Sequence, residues 1–527
     1  MSRLLVAQRA LTVPGWAKDA LWRRAQAVPS LDLRFAENKS LTDAVTGQSL
    51  ITFTRASTAT YIDSAGTLRT AVTNLQRWSE DFTQGLTPNN ATLTANQGIA
   101  PNGTLTADQF LETTTNGLHS QEIADHTFTA GVTYTFSCYA KTIGARNFGP
   151  GFPTLFGSAR FGFFDLTGSG SVVSTNAGVT ASIQAVGDGW YRCSITSTCV
   201  TGGGARVGVF IASGTSISYA GDITKGLLLW GAQLEQSSTV GEYIPTTSSI
   251  NSAPRFDHNP TTGESLGLLV EEQRTNLLVG SAAPATQIVT VTAVAHTLHF
   301  TGTGTITLTG ASTAGPLVGT GTGEANRVSL TFTPTAGSLT LTVSGTVTNA
   351  QLEAGAFRTS YILNVSTPLG VTRNADVASI TGANFSSWYR QDALTVFSQS
   401  VKISSGSSFT FSVNDGTASN RISGNYGLGG NFTAARNTAA AGVLFTPSTT
   451  YGPATGVNKM AQASASFDHA ITGNAGVVTT ATTYAMPVVD RLDIGGQLSS
   501  AFFNGTVARL TYWPQRLPNS TLQAITQ

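Results

Sequence analysis

The chain has 527 residues, more than one hydrophobic core usually supports, so its length predicts three or four domains. Hydrophobic residues make up 40% and charged residues only 11%, which excludes a disordered chain and favours β-rich domains with Thr, Ser and Asn on their surfaces. With 29 basic and 28 acidic residues and no run of 18 apolar residues, we expect neither nucleic-acid binding nor membrane insertion.

The first predicted element is a short helix. Residues 15–28, GWAKDALWRRAQAV, follow Pro14, end before Pro29 and form a basic amphipathic pattern. Such a helix either packs on the first domain as a cap or docks onto another protein, and the sequence does not separate these alternatives. We assign residues 1–30 as an N-terminal docking segment. The sequence before residue 30 lacks a continuous apolar stretch with a cleavage site, so we expect no secretion signal.

Strand patterns dominate from residue 31 onward. YTFSCYAKT (134–142) alternates between apolar and polar positions, and DGWYRCSITSTC (188–199) and SLTLTVSG (338–345) do the same. In the second run Trp190 and Tyr191 point to opposite faces, so one of them is expected to be exposed. Because strands recur about every ten residues between Gly, Asn and Ser turns, we predict an all-β protein of tandem jelly-roll or β-sandwich domains with a short helical N-terminal segment.

One phrase occurs twice in the sequence. AQLEQSSTVGEYIPT (232–246) and AQLEAGAFRTSYILN (350–364) each follow a strand-like run and end in Tyr-Ile. Each stretch that leads to the phrase begins with an Asn-Leu step. The repeat therefore predicts two modules of one type, at 74–250 and, in a shortened form, at 276–367.

The remaining segments complete the predicted domain organisation. We assign residues 31–73 as a linker and strand region, 251–275 as a connector, and 368–527 as a C-terminal sandwich. Its marker is FFNGTVARLTYWPQRLPNSTLQAIT (502–526), in which an Asn-Gly turn leads into an alternating strand and then a short helix. NFSSWYRQDALTVFSQSV (384–401) is predicted to form an early strand pair of this sandwich.

Several phrases carry a resemblance to a known group of proteins. FTRASTATYIDSAGTLRTA (53–71), SEDFTQ (79–84), GAQLE…EYIPTT (231–247) and PRFDHNPTTGESLGLLVEEQRTNLL (254–278) resemble segments of phage virion fibre and spike proteins, including head-spike, head-fibre and tail-fibre proteins of tailed phages and gene-transfer-agent particles. In such proteins the first and last of these segments are often adjacent, whereas a whole module separates them in this chain.

The resemblance has implications for fold and function. It implies modules similar to carbohydrate-binding jelly rolls, a C-terminal sandwich similar to concanavalin A or laminin G domains, and a homotrimer located in the virion. It also implies attachment to capsid, portal or tail proteins through the N-terminal segment and contact with host surface polysaccharide. Two other functions stay open: a purely architectural decoration or connector protein, and a polysaccharide depolymerase.

The sequence offers little for catalysis or cofactor binding. Glu271 and Glu272 are adjacent, so on a strand they would point to opposite faces, and we expect them in a solvated loop. No familiar nucleophile, metal or nucleotide motif occurs, so we predict no enzyme, no metal and no cofactor. A turn at Asn414-Asp415 is a possible calcium site, with a plain Asx turn favoured. Arg491, flanked by Asp490 and Asp493, is expected to form a structural ion pair at a sheet edge, and the three cysteines are expected to be buried small apolar residues.

Sugar binding is the function that needs the least special chemistry. An aromatic ring packs against the apolar C–H face of a sugar while nearby amides and carboxylates bind its hydroxyl groups. Each aromatic residue is also a candidate for the core. We predict a carbohydrate site that uses four aromatic residues: Trp190, Trp388, Tyr389 and Tyr426.

Overall fold

The computed structural model describes residues 18–157, 160–404, 408–426, 432–437, 456–482, 485–498 and 500–527. The chain forms two compact units. Unit 1 consists of residues 1–54, 59–70 and 254–527, and unit 2 of residues 55–58 and 71–253. No helix in the described residues is long and apolar enough to cross a membrane.

Strands far outnumber helices in the described residues of both units. Unit 1 begins with α1 (Ala20–Ala25), β1 (Leu31–Leu33), α2 (Phe35–Asn38), β2 (Thr52–Thr54), β3 (Thr60–Ile62) and β4 (Leu68–Thr70). Unit 2 contains β5 (Thr73–Asn74), β6 (Ala91–Ile99), β7 (Leu105–Glu112), β8 (Asn116–Leu118), β9 (Ser120–Phe128), β10 (Thr133–Ile143), β11 (Asn147–Phe148), β12 (Gly151–Phe152), β13 (Arg160–Asp165), β14 (Ser171–Thr175), β15 (Thr180–Gly187), β16 (Trp190–Thr198), β17 (Gly203–Ala212), β18 (Ser218–Ala220), β19 (Gly226–Glu235) and β20 (Asn251–Ser252).

Unit 1 resumes after residue 253. Its next strands are β21 (Phe256–His258), β22 (Ser265–Val270), β23 (Arg274–Asn276), β24 (Gln287–Val291), β25 (His296–Gly302), β26 (Thr305–Gly310), β27 (Leu317–Val318), β28 (Val328–Phe332), β29 (Gly337–Ser344), β30 (Val347–Ala354) and β31 (Val371–Arg373). It ends with β32 (Val377–Thr381), α3 (Gly382–Ser386), β33 (Ala393–Lys402), β34 (Ser408–Asn414), β35 (Arg421–Tyr426), β36 (Phe432–Asn437), β37 (Gly456–Ala465), β38 (Asp468–Gly473), β39 (Thr479–Ala481), β40 (Arg491–Ile494), β41 (Gly505–Trp513) and α4 (Asn519–Ile525).

The largest sandwich lies in unit 1 and combines distant parts of the sequence. One sheet has the order β21-β22-β41-β33-β37-β38-β39, with β1 also paired to β41, and the other has the order β2-β32-β40-β34-β35-β36. Their inward side chains share one core that includes Leu31, Phe411 and Tyr512. Strands from the predicted linker region 31–73 are therefore integral to the C-terminal sandwich.

Each of the two modules is a smaller sandwich. In unit 2 the sheet β15-β16-β10-β19-β7-β6 packs with the sheet β11-β13-β12-β17-β9 around a core rich in phenylalanine. In the second module the sheets are β28-β25-β30 and β24-β29-β26-β27. The prediction of an all-β protein built from sandwich domains with a short helix near the N-terminus is confirmed. The strand pair predicted at 384–401 is partly wrong, because residues 382–386 form α3 and only β33 is extended.

The N-terminal helix packs on the C-terminal sandwich. Asp19 caps α1 by accepting hydrogen bonds from the backbone N–H groups of Leu21 and Trp22 at 2.8 and 3.1 Å. The apolar face of α1 joins a cluster that contains Trp513 and Leu522. Residues 18–25 therefore pack as a cap on the sandwich. The docking prediction also covers residues 1–17, which lie outside the described residues.

The repeated phrase forms the same hydrogen-bonded clasp in both modules. In the second module the Asn276 Nδ2 donates to the backbone carbonyls of Ala350 and Ile362 at 3.1 and 2.7 Å. Its Oδ1 accepts from the backbone N–H groups of Leu278 and Leu352 at 3.1 and 3.2 Å. The amide of Asn276 is fully buried, so it links the first strand of the module to the two halves of the closing phrase.

Unit 2 repeats these contacts with the equivalent residues. Asn74 Nδ2 donates to the carbonyls of Ala232 and Ile244 at 3.1 and 2.8 Å, and its Oδ1 accepts from the N–H of Leu234 at 3.1 Å. The tyrosine of each closing phrase also shares a hydrogen bond of 2.7 Å with a serine near the start of its module, Tyr243 with Ser79 and Tyr361 with Ser281. The phrase recurs because it closes each module against its own first strand.

The segments at 53–71 and 254–278 contact each other within unit 1 although a module separates them in sequence. The Asp257 carboxylate accepts from the backbone N–H of Ile62 at 2.7 Å, and a guanidinium N–H of Arg255 donates to the carbonyl of Thr60 at 2.9 Å. Their separation in sequence is therefore an insertion between two segments that still pack together.

A buried ion-pair network joins the connector to the strand that follows the second module. The Arg255 guanidinium lies 2.8 Å from Glu271 and 2.5 Å from Asp376, and Arg373 also pairs with Glu271. Burial alone would raise the pKa of Glu271, but the guanidinium groups of Arg373 and Arg255 lower it to about 2. The expectation of a solvated loop was wrong for Glu271, because its two arginine partners let a carboxylate be buried at 2% exposure.

Candidate functional site

The aromatic residues chosen from the sequence lie mainly in cores. Trp190 is 2% exposed and packs with Trp230 and two alanines, while its indole N–H donates to the carbonyl of Ile99 at 3.1 Å. Tyr191, on the opposite face of β16, is also buried. The expectation that one of the pair is exposed was wrong, because a second cluster covers the outer face of this strand.

Trp388 and Tyr389 lie together in the C-terminal sandwich. Their rings pack edge to face with centroids 5.9 Å apart, and Trp388 contacts Tyr512 in the same geometry at 4.8 Å. Trp388 is 3% and Tyr389 7% exposed. Tyr426 ends β35, and its side chain lies outside the described residues. The assignment of these residues to sugar binding stays a prediction.

Tyr389 lines an open pocket of about 500 Å³ in unit 1 together with Asp415 and Asp490. Asp415 forms the predicted Asx turn, since its carboxylate accepts from the N–H of Thr417 at 2.9 Å and from the Asn420 amide at 2.8 Å. Although partial burial alone would raise it, these hydrogen bonds hold the pKa of Asp415 below its ordinary value. A carboxylate kept ionised in this way is unsuited to act as a general acid.

Ion pairs and cysteines fill structural roles in the described residues. Arg491 pairs with Asp493 at 2.6 Å, as expected, but the sheet-edge location was wrong, because β40 pairs with β32 on one side and with β34 on the other. Cys138, Cys193 and Cys199 are all at most 1% exposed, as predicted for small apolar residues. The described part of the chain contains no group of three or more metal-binding side chains.

An aromatic surface that the sequence analysis missed lies on the outer face of one sheet of unit 2. Four residues form one row across four neighbouring strands: Glu122 of β9 pairs with Gly208 of β17, which pairs with Gly151 of β12, which pairs with Phe161 of β13. At about 4.8 Å between strands the row spans about 14 Å. The row therefore has a carboxylate at one end, an aromatic ring at the other and two glycines between them.

The glycines make room for aromatic rings that pack closely over the sheet backbone. A Cβ atom at Gly151 would lie 2.5 Å from the Phe161 ring, and one at Gly208 would lie 2.5 Å from the Phe210 ring. Any larger residue at either position would force a ring away from the sheet. The two rings meet at 78° with centroids 5.1 Å apart, and together we call Phe161 and Phe210 the aromatic floor.

The aromatic floor forms part of a groove of about 330 Å³ with a polar rim. Arg206, on the same face of β17 as Phe210, pairs with Asp125 at 2.7 Å and lies 3.9 Å from Glu122. These three side chains are between 32% and 67% exposed, so they are available to a ligand. Thr154 and Pro153 line the opposite side of the groove.

The corresponding sheet of the second module has no such floor. Strands β26 and β29 pair directly, as β12 and β17 do in unit 2, and their outer faces carry cross-strand threonine pairs, Thr307 with Thr342 and Thr309 with Thr340. These positions are exposed or half-buried. Of the two sandwiches that share the clasp, the first alone combines aromatic rings with charged groups on this face in the described residues.

The sequence does contain a signal for the aromatic floor. In GF at 151–152, RFGFF at 160–164 and GVF at 208–210, phenylalanines lie within two residues of a glycine. Because alternate strand residues share a face, glycines beside outward phenylalanines indicate rings that fold down over the sheet. The predicted sugar-binding residues were tryptophan and tyrosine, so these phenylalanines were not predicted.

No protein-family model matches the chain, and no curated protein sequence is significantly similar to it. Among solved structures, the CBM40 domain of Ruminococcus gnavus IT-sialidase, bound to α2,6-sialyllactose, is 16% identical over 26% of this chain and 84% of its own, with a TM-score of 0.24. A tandem of two CBM22 domains from Paenibacillus barcinonensis is 12% identical over 54% of this chain and 97% of its own, with a TM-score of 0.20. Domains LG4-5 of the mouse laminin alpha1 chain are 11% identical over 83% of this chain and 95% of their own, with a TM-score of 0.23. Similarities of this size do not assign a function, so the functional argument rests on the residues.

The groove has the chemistry of a shallow binding site. Its phenylalanine rings offer a dry surface to apolar C–H groups, and Glu122 and Arg206 offer an acceptor and a donor for hydroxyl groups. Among the residues that line the groove, Glu122 is the one carboxylate. The groove therefore suits a ligand that has both an apolar face and hydroxyl groups.

Proposed function

We propose that the chain is a non-catalytic glycan-binding protein and that its sugar site is the groove over the aromatic floor. The observation that carries this proposal is the row from Glu122 through two glycines to Phe161, which places an aromatic ring on the same face as hydroxyl-binding groups. The groove is open, so an internal sugar of a long polysaccharide fits as well as a chain end. Binding at a single site of this kind is weak, and several chains in one particle would provide avidity.

The test is binding of the full chain to host surface polysaccharide, measured by affinity electrophoresis, with Phe161→Ala compared with the parent chain. Loss of one stacking ring is expected to weaken binding about tenfold to a hundredfold. Phe467→Ala is the matched control, because Phe467 is 60% exposed and lies in unit 1. Equal binding by the parent chain and Phe161→Ala would remove the groove from the proposal.

We also propose that the chain is a fibre or spike subunit of a phage virion, as a homotrimer attached through its N-terminal segment. This part of the proposal is supported by the resemblance of the segments at 53–71 and 254–278 to virion proteins. Light scattering on the purified chain tests the trimer, and immunogold labelling of particles tests the location. A monomer that is absent from particles would contradict both statements.

Two other functions give different results in the same experiments. A purely architectural subunit would label on particles but bind no polysaccharide. A depolymerase would release reducing ends from the polysaccharide, and the pocket beside Asp415 and Asp490 is where variants would then be made first.

A further inference from the structure

We infer that the groove over the aromatic floor selects neutral glycans and discriminates against sugars that carry carboxylate or phosphate groups. This inference rests on the proposed function and adds the chemical class of the ligand. It follows from the charges at the rim of the groove and from the partners that those charges already have.

The one cation that lines the groove is already paired. The Arg206 guanidinium lies 2.7 Å from an Asp125 oxygen and 3.9 Å from a Glu122 oxygen. Two carboxylates therefore face one guanidinium, and this group of three side chains carries a net charge of about −1 at neutral pH. An anionic sugar would have to displace Asp125 from Arg206 while it approaches Glu122.

The uncharged part of the groove offers no compensation to an anion. Phe161, Phe210 and Pro153 are apolar, and Thr154 supplies a hydroxyl group rather than a charge. Among the described residues that line the groove, Arg206 is the only positively charged one. Burying a carboxylate against aromatic rings without a free cation costs free energy, because its hydration is lost without replacement.

A neutral pyranose satisfies the same groups. Its hydroxyl groups donate to Glu122 and accept from Arg206 without breaking the Arg206–Asp125 pair, and its C–H face packs on the Phe161 ring. The site therefore favours a hexose whose hydroxyl groups point sideways from an apolar face over one that carries an acidic substituent.

The test compares neutral polysaccharides with their carboxymethyl derivatives, and polysialic acid with both, for binding to the full chain by affinity electrophoresis. Because the rim is partly exposed, we expect the neutral member of each pair to bind about tenfold more tightly at low salt, with a smaller ratio at about 0.5 M salt, where screening is stronger. Phe161→Ala identifies which binding depends on the groove.

A double variant tests whether the rim charges cause the discrimination. Glu122→Gln with Asp125→Asn removes two negative charges, frees Arg206 and is expected to raise the relative affinity for the carboxymethyl derivatives about tenfold or more. Thermal unfolding of this variant should match that of the parent chain, since the altered groups are more than half exposed.

The possible outcomes separate the inference from the proposed function. Binding of neutral glycans that depends on Phe161, with the preference for them lost in the double variant, supports both. Tighter binding of polysialic acid or the carboxymethyl derivatives through Phe161 overturns the inference and leaves glycan binding in place. If the parent chain binds no polysaccharide of either class, the proposed function fails and the inference fails with it.

Discussion

Replacing Asn276 by alanine tests the clasp that closes the second module. The side chain makes four buried hydrogen bonds, two donated to Ala350 and Ile362 and two accepted from Leu278 and Leu352. Alanine removes all four and leaves two carbonyls and two N–H groups without partners in a site that is closed to solvent. At about 1 kcal/mol of net stability for each hydrogen bond, Asn276→Ala should cost about 4 kcal/mol.

Hydrogen exchange followed by mass spectrometry measures this loss locally. Peptides that cover residues 274–281 and 347–364 should exchange roughly a thousandfold faster in Asn276→Ala, since each 1.4 kcal/mol is a factor of ten. Asn74→Ala should have an effect of the same size on peptides from unit 2, because its side chain makes the equivalent contacts.

Asn102→Ala provides the matched control. Asn102 lies in an exposed turn, where its side chain accepts from the backbone N–H of Thr104 at 3.1 Å. Because water can replace this contact, the substitution should cost less than about 1 kcal/mol. If Asn276→Ala changed exchange less than about fivefold, the buried amide would not hold the module closed and the explanation of the repeated phrase would be wrong.

Four further predictions concern charges, thiols and the groove. The pKa of Glu271 is lowered from 4.5 to about 2. Its contribution to the stability of unit 1 is therefore fully present above pH 4.5 and is lost as the pH falls towards 2. Glu271→Gln should flatten that part of an acid-unfolding curve. Burial raises the pKa of Asp257 from 3.8 to about 6, so its effect on stability has the opposite dependence on pH. Unit 1 gains stability from this group as the pH falls from about 6 to 4. Asp257→Asn should remove this gain in pH-dependent urea unfolding. Burial also raises the pKa of all three cysteine thiols, so Ellman's reagent should detect no thiol in the native chain and three after unfolding; rapid native labelling would contradict their placement in the core. Finally, Gly208→Val should displace the Phe210 ring and weaken glycan binding at least as much as Phe161→Ala does, and unchanged binding would show that the ring position does not matter.

The strands were predictable because alternation is a local property. The runs at 134–142 and 338–345 coincide with β10 and β29, and the Asn-Gly turn leads into β41 as expected. The partners of strands were not predictable in the same way. β1 pairs with β41 almost 480 residues later, and nothing in three residues of sequence, Leu31 to Leu33, identifies so distant a neighbour.

The candidate site was harder to predict for a different reason. An aromatic residue on an alternating strand is exposed only if nothing covers that face, and coverage depends on other strands. Trp190 illustrates this, because Trp230 and the carbonyl of Ile99 cover a face that the pattern left open. Phe161 is the opposite case, a phenylalanine on an outer face that no second cluster of described residues covers. The position of its ring depends on Gly151, the residue paired with it on the next strand.

The clasp also explains how one chain contains modules of different length. The ends of the first module meet where β5 pairs with β20, and the backbone N–H of Ala253 donates to the carbonyl of Val72 at 2.8 Å. The ends of the second meet where β23 pairs with β31. The chain enters and leaves each module at neighbouring points. A module can therefore lose strands without moving the strands that lie outside it. The shortened second module keeps its clasp and has threonines on the outer faces of β26 and β29, so the outer face can differ between modules while the clasp stays the same.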